Sequence, residues 1–338
     1  MNIRLCSLLL VLCSLSLSAQ QQCYFSVDER YPAKRTELKD KQRILVVNNA
    51  LTQPNDFGHT TMIDGESHNN VEVDLSRSVL YCLFATTQSM ESTGEFNAVE
   101  LMDISQNHST NYYSRTPLTF SQAERLCTDY QADALLTLNQ LVLYDIVESF
   151  PTDEGTYYAY LQAYAQSHWT IHYAGQPREV TFTQADTLLW ESRLYYTRAQ
   201  SLNDLPSRQE ALLYIARELG NRIGSSFSPS WQTTRRYIYD LPNLQAGLDA
   251  FRLQRWNSAI NQWLTMVDSK DKKAAACAAA NIAIAYEMLG DYVSACDYAN
   301  EASRLFGAWK TAYGRQQQVN IHYYLAQLQA RQVRERDL

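Results

Sequence analysis

The chain has 338 residues, 46% hydrophobic and 19% charged, which is enough for two domains with sizeable cores. Its 29 basic and 36 acidic residues give a formal net charge of −7, and because 11 basic and 9 acidic residues follow position 242, the acidic excess lies earlier. With no Lys/Arg run in it, that balance argues against nucleic acid or anionic lipid as a partner.

Residues 1–19 carry one cation, Arg4, the apolar run Leu8-Leu9-Leu10-Val11-Leu12, and a small-residue stretch ending Leu17-Ser18-Ala19. This is the pattern of a signal peptide cleaved after Ala19. The apolar run is too short to span a bilayer, and no later stretch approaches about 18 uncharged apolar residues, so no transmembrane span is expected. Cys23 raises a lipid anchor as the alternative, but Gln20-Gln21-Gln22 lacks the small residues that lipidation needs. The expected place is the periplasm or the outer membrane. Beyond residue 19 the cysteines are Cys23, Cys82, Cys127, Cys277 and Cys296, an odd and scattered set with no C-x-x-C spacing. It is neither a disulfide framework nor a zinc site, and no metal or cofactor is expected.

From there the chain alternates. Ile44 to Val47 is an uninterrupted apolar run that suits a strand covered on both faces. A polar loop follows over 51–70, then Val73, Leu75, Val79, Leu80 and Leu83 recur at helical spacing, and 96–103 reads as a second strand. Thr119 with Gln122, or Ser121 with Glu124, offers a capping box for a helix to Tyr130. Residues 132–147 are the third strand, and the β-α-β-α-β order predicts parallel pairing. The period then changes. Ala159, Leu161, Ala163, Ala165, Trp169 and Ile171 alternate with polar residues, so 156–173 predicts a half-buried antiparallel strand, with 179–196 as its hairpin partner across AGQPR. Ser207 with Glu210 caps a helix bearing Ala211, Leu212, Ile215, Ala216, Leu219 and Ile223. The expected fold is a mixed α/β sheet domain over 20–240, whose element order resembles the N-terminal domain of TolB and the periplasmic domain of the curli secretion protein CsgG.

Residues 241–338 read as helical throughout. The stretch ANIAIAYEMLGDYVSACDYANEASRLF places Ala283, Tyr286, Gly290, Tyr292, Ala295 and Ala302 where the tetratricopeptide repeat has its small and aromatic residues. Gly or Ala is needed where such helices cross closely. A second copy upstream has Gly247, Trp256 and Ala259 at matching places, with Ala250 and Met266 as departures. In this setting Cys296, beside Asp297, is a packing residue and not a nucleophile. Two repeats need a cap, so the array is expected to be capped by the helix 316–338, docked on the sheet domain, or both. Resemblance to the repeat implies a concave face made by Leu244, Leu248, Phe251, Arg252, Ala280, Ile284, Glu287 and Met288. That groove either binds a protein or peptide partner, or is filled by the N-terminal domain or the final helix.

Other candidates carry less. His168 and His172 have the i, i+4 spacing of metal ligands on a helix, but on a strand they stand about 13 Å apart. His59, Asp64 and His68 share the polar 51–70 loop and form the alternative ligand site, for a glycan, a peptidoglycan fragment or an enzyme substrate. Tyr158, Tyr160 and Tyr164 stand on the polar side of the long strand, where they either pair across strands or bind a ligand. No G-x-S-x-G, P-loop, G-x-G-x-x-G or H-E-x-x-H motif occurs, so no enzyme is expected. The openings CYFSVDERYPA and KQRILVVNNA resemble an uncharacterised envelope-protein family of Bacteroidota, with an exported or lipidated N-terminus, a sheet domain and helical repeats. The resemblance implies a place and a layout. The resulting expectation is a non-catalytic envelope adaptor that binds a partner protein through its repeats.

Overall fold

A computed structural model of the chain describes residues 22–68 and 71–337. The expected signal peptide lies outside the described residues. The chain divides into two compact units, 33–230 and a second unit formed by the segments before Ala33 and after Ser230.

The unit of residues 33–230 holds a seven-stranded mixed sheet. Strand β2 (Arg43–Asn48) is buried from Ile44 onward, as its unbroken apolar run requires, and pairs in parallel with β5 (Ala98–Met102) and β6 (Ala134–Pro151). The long β6 pairs antiparallel with β7 (Tyr157–Tyr173) along its whole length, and β7 pairs with β8 (Gln176–Glu191). Alternation in β7 holds over its first part, where Ala159, Leu161, Ala163 and Ala165 are buried while Tyr158, Tyr160 and Tyr164 are half-exposed, but from Trp169 to Tyr173 every residue is buried, Thr170 and His172 included. Those tyrosines pair across strands. Tyr158 and Tyr160 donate to Glu191 and Glu148, and the ring of Tyr164 lies 6.0 Å from that of Tyr144.

Helices α1 (Ser78–Ser92) and α4 (Arg208–Ser226) pack together, their buried faces in one apolar cluster with Ile44, Val46, Leu136 and Trp169. Gly220 permits this approach, since a Cβ there would stand 2.2 Å from the carbonyl oxygen of Cys82. On the other face of the sheet, α2 (Phe120–Tyr130) packs Ala123 and Cys127 against Leu45, Val47 and Leu135. Its capping box is Thr119 with Gln122, and α4 has the expected Ser207 and Glu210 box. A short helix, α3 (Arg198–Asn203), follows β8.

The segment read as a loop over 51–70 differs. It contains β3 (His59–Ile63) and β4 (Glu66–His68), an antiparallel pair whose first strand adds in parallel to the far end of β6. Asp64 and Gly65, both with positive φ (50° and 82°), make the turn between them.

The second unit also corrects the expected boundary at 240. Strand β1 (Gln22–Tyr31) pairs with β9 (Ser230–Tyr239) in a two-stranded sheet, and both belong with the helices. The cause is alternation with one misleading charged member in each strand, Glu29 and Arg236: Cys23, Phe25, Val27, Glu29 and Tyr31 face inward on β1, and Arg236 and Ile238 on β9. The helices are α5 (Gln245–Arg252), α6 (Trp256–Val267), α7 (Lys272–Met288), α8 (Tyr292–Ala308) and α9 (Ala312–Asp337). Ala259, Ala283, Ala295 and Ala302 are completely buried between them. Gly247 is needed for contact, because a Cβ there would lie 2.2 Å from Nε1 of Trp263, whose indole donates to the Leu244 carbonyl at 3.0 Å. Cys277 is buried and its thiol pushed up to about 12 by desolvation, and burial raises half-buried Cys296 as well. Both behave as packing residues.

Candidate functional site

The residues expected to line an open concave face are mostly inside the helical unit. Leu244, Leu248, Phe251, Ala280, Ile284 and Glu287 are buried, Met288 is half-buried, and Arg252 is exposed with its guanidinium on Asp249. The cause is the β1–β9 ribbon together with α9. Phe25 of β1 meets the ring of Phe251 edge-on at 5.1 Å, and Asn281 of α7 holds β9 through both its amide groups, accepting from the Tyr239 amide and donating to the Tyr239 carbonyl.

Glu287 is committed to a buried ion network. It accepts from Arg236 at 2.9 and 3.0 Å, from Arg331 at 2.9 Å and from the Tyr324 hydroxyl at 2.8 Å. Glu29 joins Arg236 and Arg334 from β1, and Gln327 accepts from Arg236 at 3.1 Å. Desolvation alone would make these groups give up charge. For Arg236 burial pulls downward, but the hydrogen bond and charge of Glu287 outweigh it and its pKa is raised. For Glu29 burial pushes upward, but Thr234 and Arg236 outweigh it and its pKa is lowered. Burial and then Glu287 hold Tyr324 well above its ordinary value. Arg236, Glu29 and Tyr324 are thus each held more firmly in their usual protonation states, which suits a lock.

What remains of the groove is a cavity of about 440 Å³ beside that lock. Ala280 and Ile284 form its α7 wall. The outer positions of the ribbon contribute Tyr24, Arg235 and Tyr237, and one side of α9 contributes Gln316, Gln317, Asn320, Tyr323 and Gln327. Tyr24, Tyr237 and Tyr323 are 60%, 49% and 70% exposed, with Tyr24 and Tyr237 packed at 4.5 Å. The volume falls within the range of small-ligand sites. Amide side chains can donate and accept at once, and tyrosine rings cover apolar groups while keeping a polar tip wet. The arrangement can hold a neutral, hydrogen-bonding chain. Among the described residues there is no cluster of His, Cys, Asp or Glu that would take a metal.

The alternative site does not assemble. The His59 side chain is enclosed, its Nδ1 on Asp145, whose other oxygen takes Arg208; Arg208 also donates to the Thr60 carbonyl at 3.0 Å. This clamp ties β3 to β6 and to α4. Asp64 instead pairs with Arg198 at 2.5 and 2.6 Å, and His68 is exposed on β4. The three residues therefore serve three surroundings. His168 accepts or donates at 2.8 Å with Thr183, and His172 faces Glu179 at 3.6 Å. Cys23 is half-buried in β1, with its thiol 3.5 Å from Asp240.

Comparison with known proteins gives families without an activity. A family model described as Domain of unknown function (DUF8603) matches residues 41–239, and one described as Domain of unknown function (DUF6340) matches residues 246–330. No curated protein matches the chain. Among solved structures, the PelC dodecamer from Paraburkholderia phytofirmans is 9% identical, with a TM-score of 0.28 over 60% of this chain and 98% of that one. A putative neuraminyllactose-binding hemagglutinin homolog from Helicobacter pylori is 8% identical, with a TM-score of 0.27 over 57% of this chain and 87% of that one. Likeness at this level carries no argument about function.

Proposed function

We propose that this chain, which belongs to the family described as Domain of unknown function (DUF8603), is a non-catalytic binding protein of the cell envelope that holds an extended segment of a partner protein in its helical unit. The observation that carries this reading is the cavity of about 440 Å³ against Ala280 and Ile284. An extended backbone presents a donor and an acceptor at every residue, and the amides of Gln316, Asn320 and Gln327 along α9 suit that alternation. Exposed Tyr24, Tyr237 and Tyr323 suit side chains of the segment at low entropic cost. The ion lock makes the walls rigid, which lowers the ordering cost of binding. The N-terminal apolar stretch with Arg4 supports an envelope location. The thiol of Cys23, packed in β1 beside Asp240, favours an unmodified cysteine.

The test is site-specific photocrosslinking in intact cells from position 323, compared with an exposed position on α6 such as Leu264. A discrete adduct is expected from position 323 and not from 264, and Tyr24→Ala with Asn320→Ala should abolish it while melting is unchanged. An adduct that persists in the folded double variant removes the cavity from the reading.

A further inference from the structure

In the sheet unit, the segment after β5 crosses the face of β6 and β7 and leaves Arg115 there, exposed. Arg115 is held by a neutral group. Its Nε donates at 2.7 Å to Oε1 of buried Gln140, whose own amide donates to the Tyr112 carbonyl at 3.2 Å. Among the described residues no carboxylate lies within 4 Å of it. A guanidinium anchored through Nε keeps its two terminal nitrogens directed outward as a fork, the geometry that takes a carboxylate in two parallel hydrogen bonds. The charge is felt nearby: burial and then Arg115 hold His168 below its ordinary value, so at neutral pH its ring is uncharged.

Two concavities meet at this cation, of about 320 and 200 Å³, and Arg115 and His168 line both. A β-bulge builds them. The β6–β7 register slips between Leu138 and Gln140, so the successive residues Asn139, on Thr170, and Gln140, on Arg115, both open on the face that carries His168, which regular alternation would forbid. Beyond Gln140 lies an aromatic cluster: Phe57 meets Tyr113 at 5.6 Å and Tyr144 at 5.5 Å, and Tyr113 is 64% exposed.

We infer that the two concavities astride Arg115 bind an acidic sugar chain, with one carboxylate on the guanidinium and an adjacent ring against the face of Tyr113. An uncompensated Arg calls for an anion, the neighbouring amides and hydroxyls match sugar hydroxyl groups, and exposed aromatic faces match the apolar face of a pyranose. The chain's net charge of −7 disfavours a dense polyanion, so the charges on the sugar are sparse. This site shares no residue with the proposed peptide cavity and stands or falls apart from it.

The probe is a tetrasaccharide of alternating glucuronic acid and N-acetylglucosamine, titrated into the full chain by calorimetry and NMR. Its methyl ester, a tetraglutamate peptide and inorganic phosphate are the comparison ligands. The acid form is expected to bind at least tenfold more tightly than the ester. Arg115→Gln should remove that preference, and Tyr113→Ala should weaken acid and ester alike. Absence of binding, equal affinity for acid and ester, or an unchanged preference in Arg115→Gln overturns the inference. Tetraglutamate or phosphate binding as tightly as the sugar overturns the assignment to sugar.

Discussion

The sheet unit and the helical unit are closed by different means. In residues 33–230 the long strands β6, β7 and β8 follow one another in the chain and pair with their neighbours, and two apolar clusters are supplemented by one small buried clamp, His59–Asp145–Arg208. In the helical unit the apolar core of Ala259, Trp263, Ala283 and Phe306 is sealed by charged groups from remote parts of the chain. Arg236 meets Glu29 across 207 positions and Arg334 meets it across 305. A three-residue clamp fixes one edge of the first unit, whereas a larger network drawn from β1, β9, α7 and α9 fixes how the second is completed. The lesson is that a buried ion network is weak evidence of net stability, yet is costly to break, because removing a member leaves charge poorly compensated.

The largest expected effect tests that difference directly. Arg236→Ala removes the cation shared by Glu29 and Glu287, leaving the first to Arg334 and the second to Arg331 and Tyr324, and should cost about 3–5 kcal/mol, read by denaturant unfolding, with β-sheet signal lost later than helix. A cost under about 1 kcal/mol would mean that apolar contacts alone close the helical unit. Gly247→Ala comes next: the methyl group meets Trp263 at 2.2 Å, and overpacking of this kind costs about 1–3 kcal/mol. A neutral Gly247→Ala would show that α5 and α6 are loosely apposed. Thr119→Ala, on the sheet side, removes one cap and should cost about 1 kcal/mol by thermal melting. The smallest effect is a matter of pH. Because the folded pKa of Glu29 is depressed below its ordinary 4.5, its contribution is complete above that value and fades as pH falls through the folded value. The helical unit should therefore lose stability in acid below about pH 4.5, and Glu29→Gln should flatten that slope in melts between pH 6 and 3.

Much of the sheet was legible because its strands are either apolar throughout, as in β2, or alternating, as in the first part of β7. What escaped notice were strands whose pattern carries polar members. In β1 and β9 the inward positions include Glu29 and Arg236, so the alternation reads as broken unless the two segments are known to face each other. In β3 and β4 the Asp64-Gly65 turn is a hairpin signal set among polar residues, and it was read as loop. The candidate groove was legible as a set of positions, since Ala280 and Ile284 do line a cavity. Its filling was not, because nothing local in Leu248 or Phe251 announces that Phe25 will pack there. Arg115 gives no sequence signal: its lack of a carboxylate partner among the described residues is a property of the fold.

Strand β1 has to wait. The ribosome delivers residues 22–31 first, yet their β9 neighbour emerges only after the whole of 33–230 has been made, a delay of about 10–40 s at roughly 5–20 residues per second. The sheet unit is thus an insert that can fold while the helical unit is still open. Until synthesis reaches Arg236 on β9, Glu29 sits on an unpaired strand edge, the form in which a newly made chain is most easily held by a chaperone.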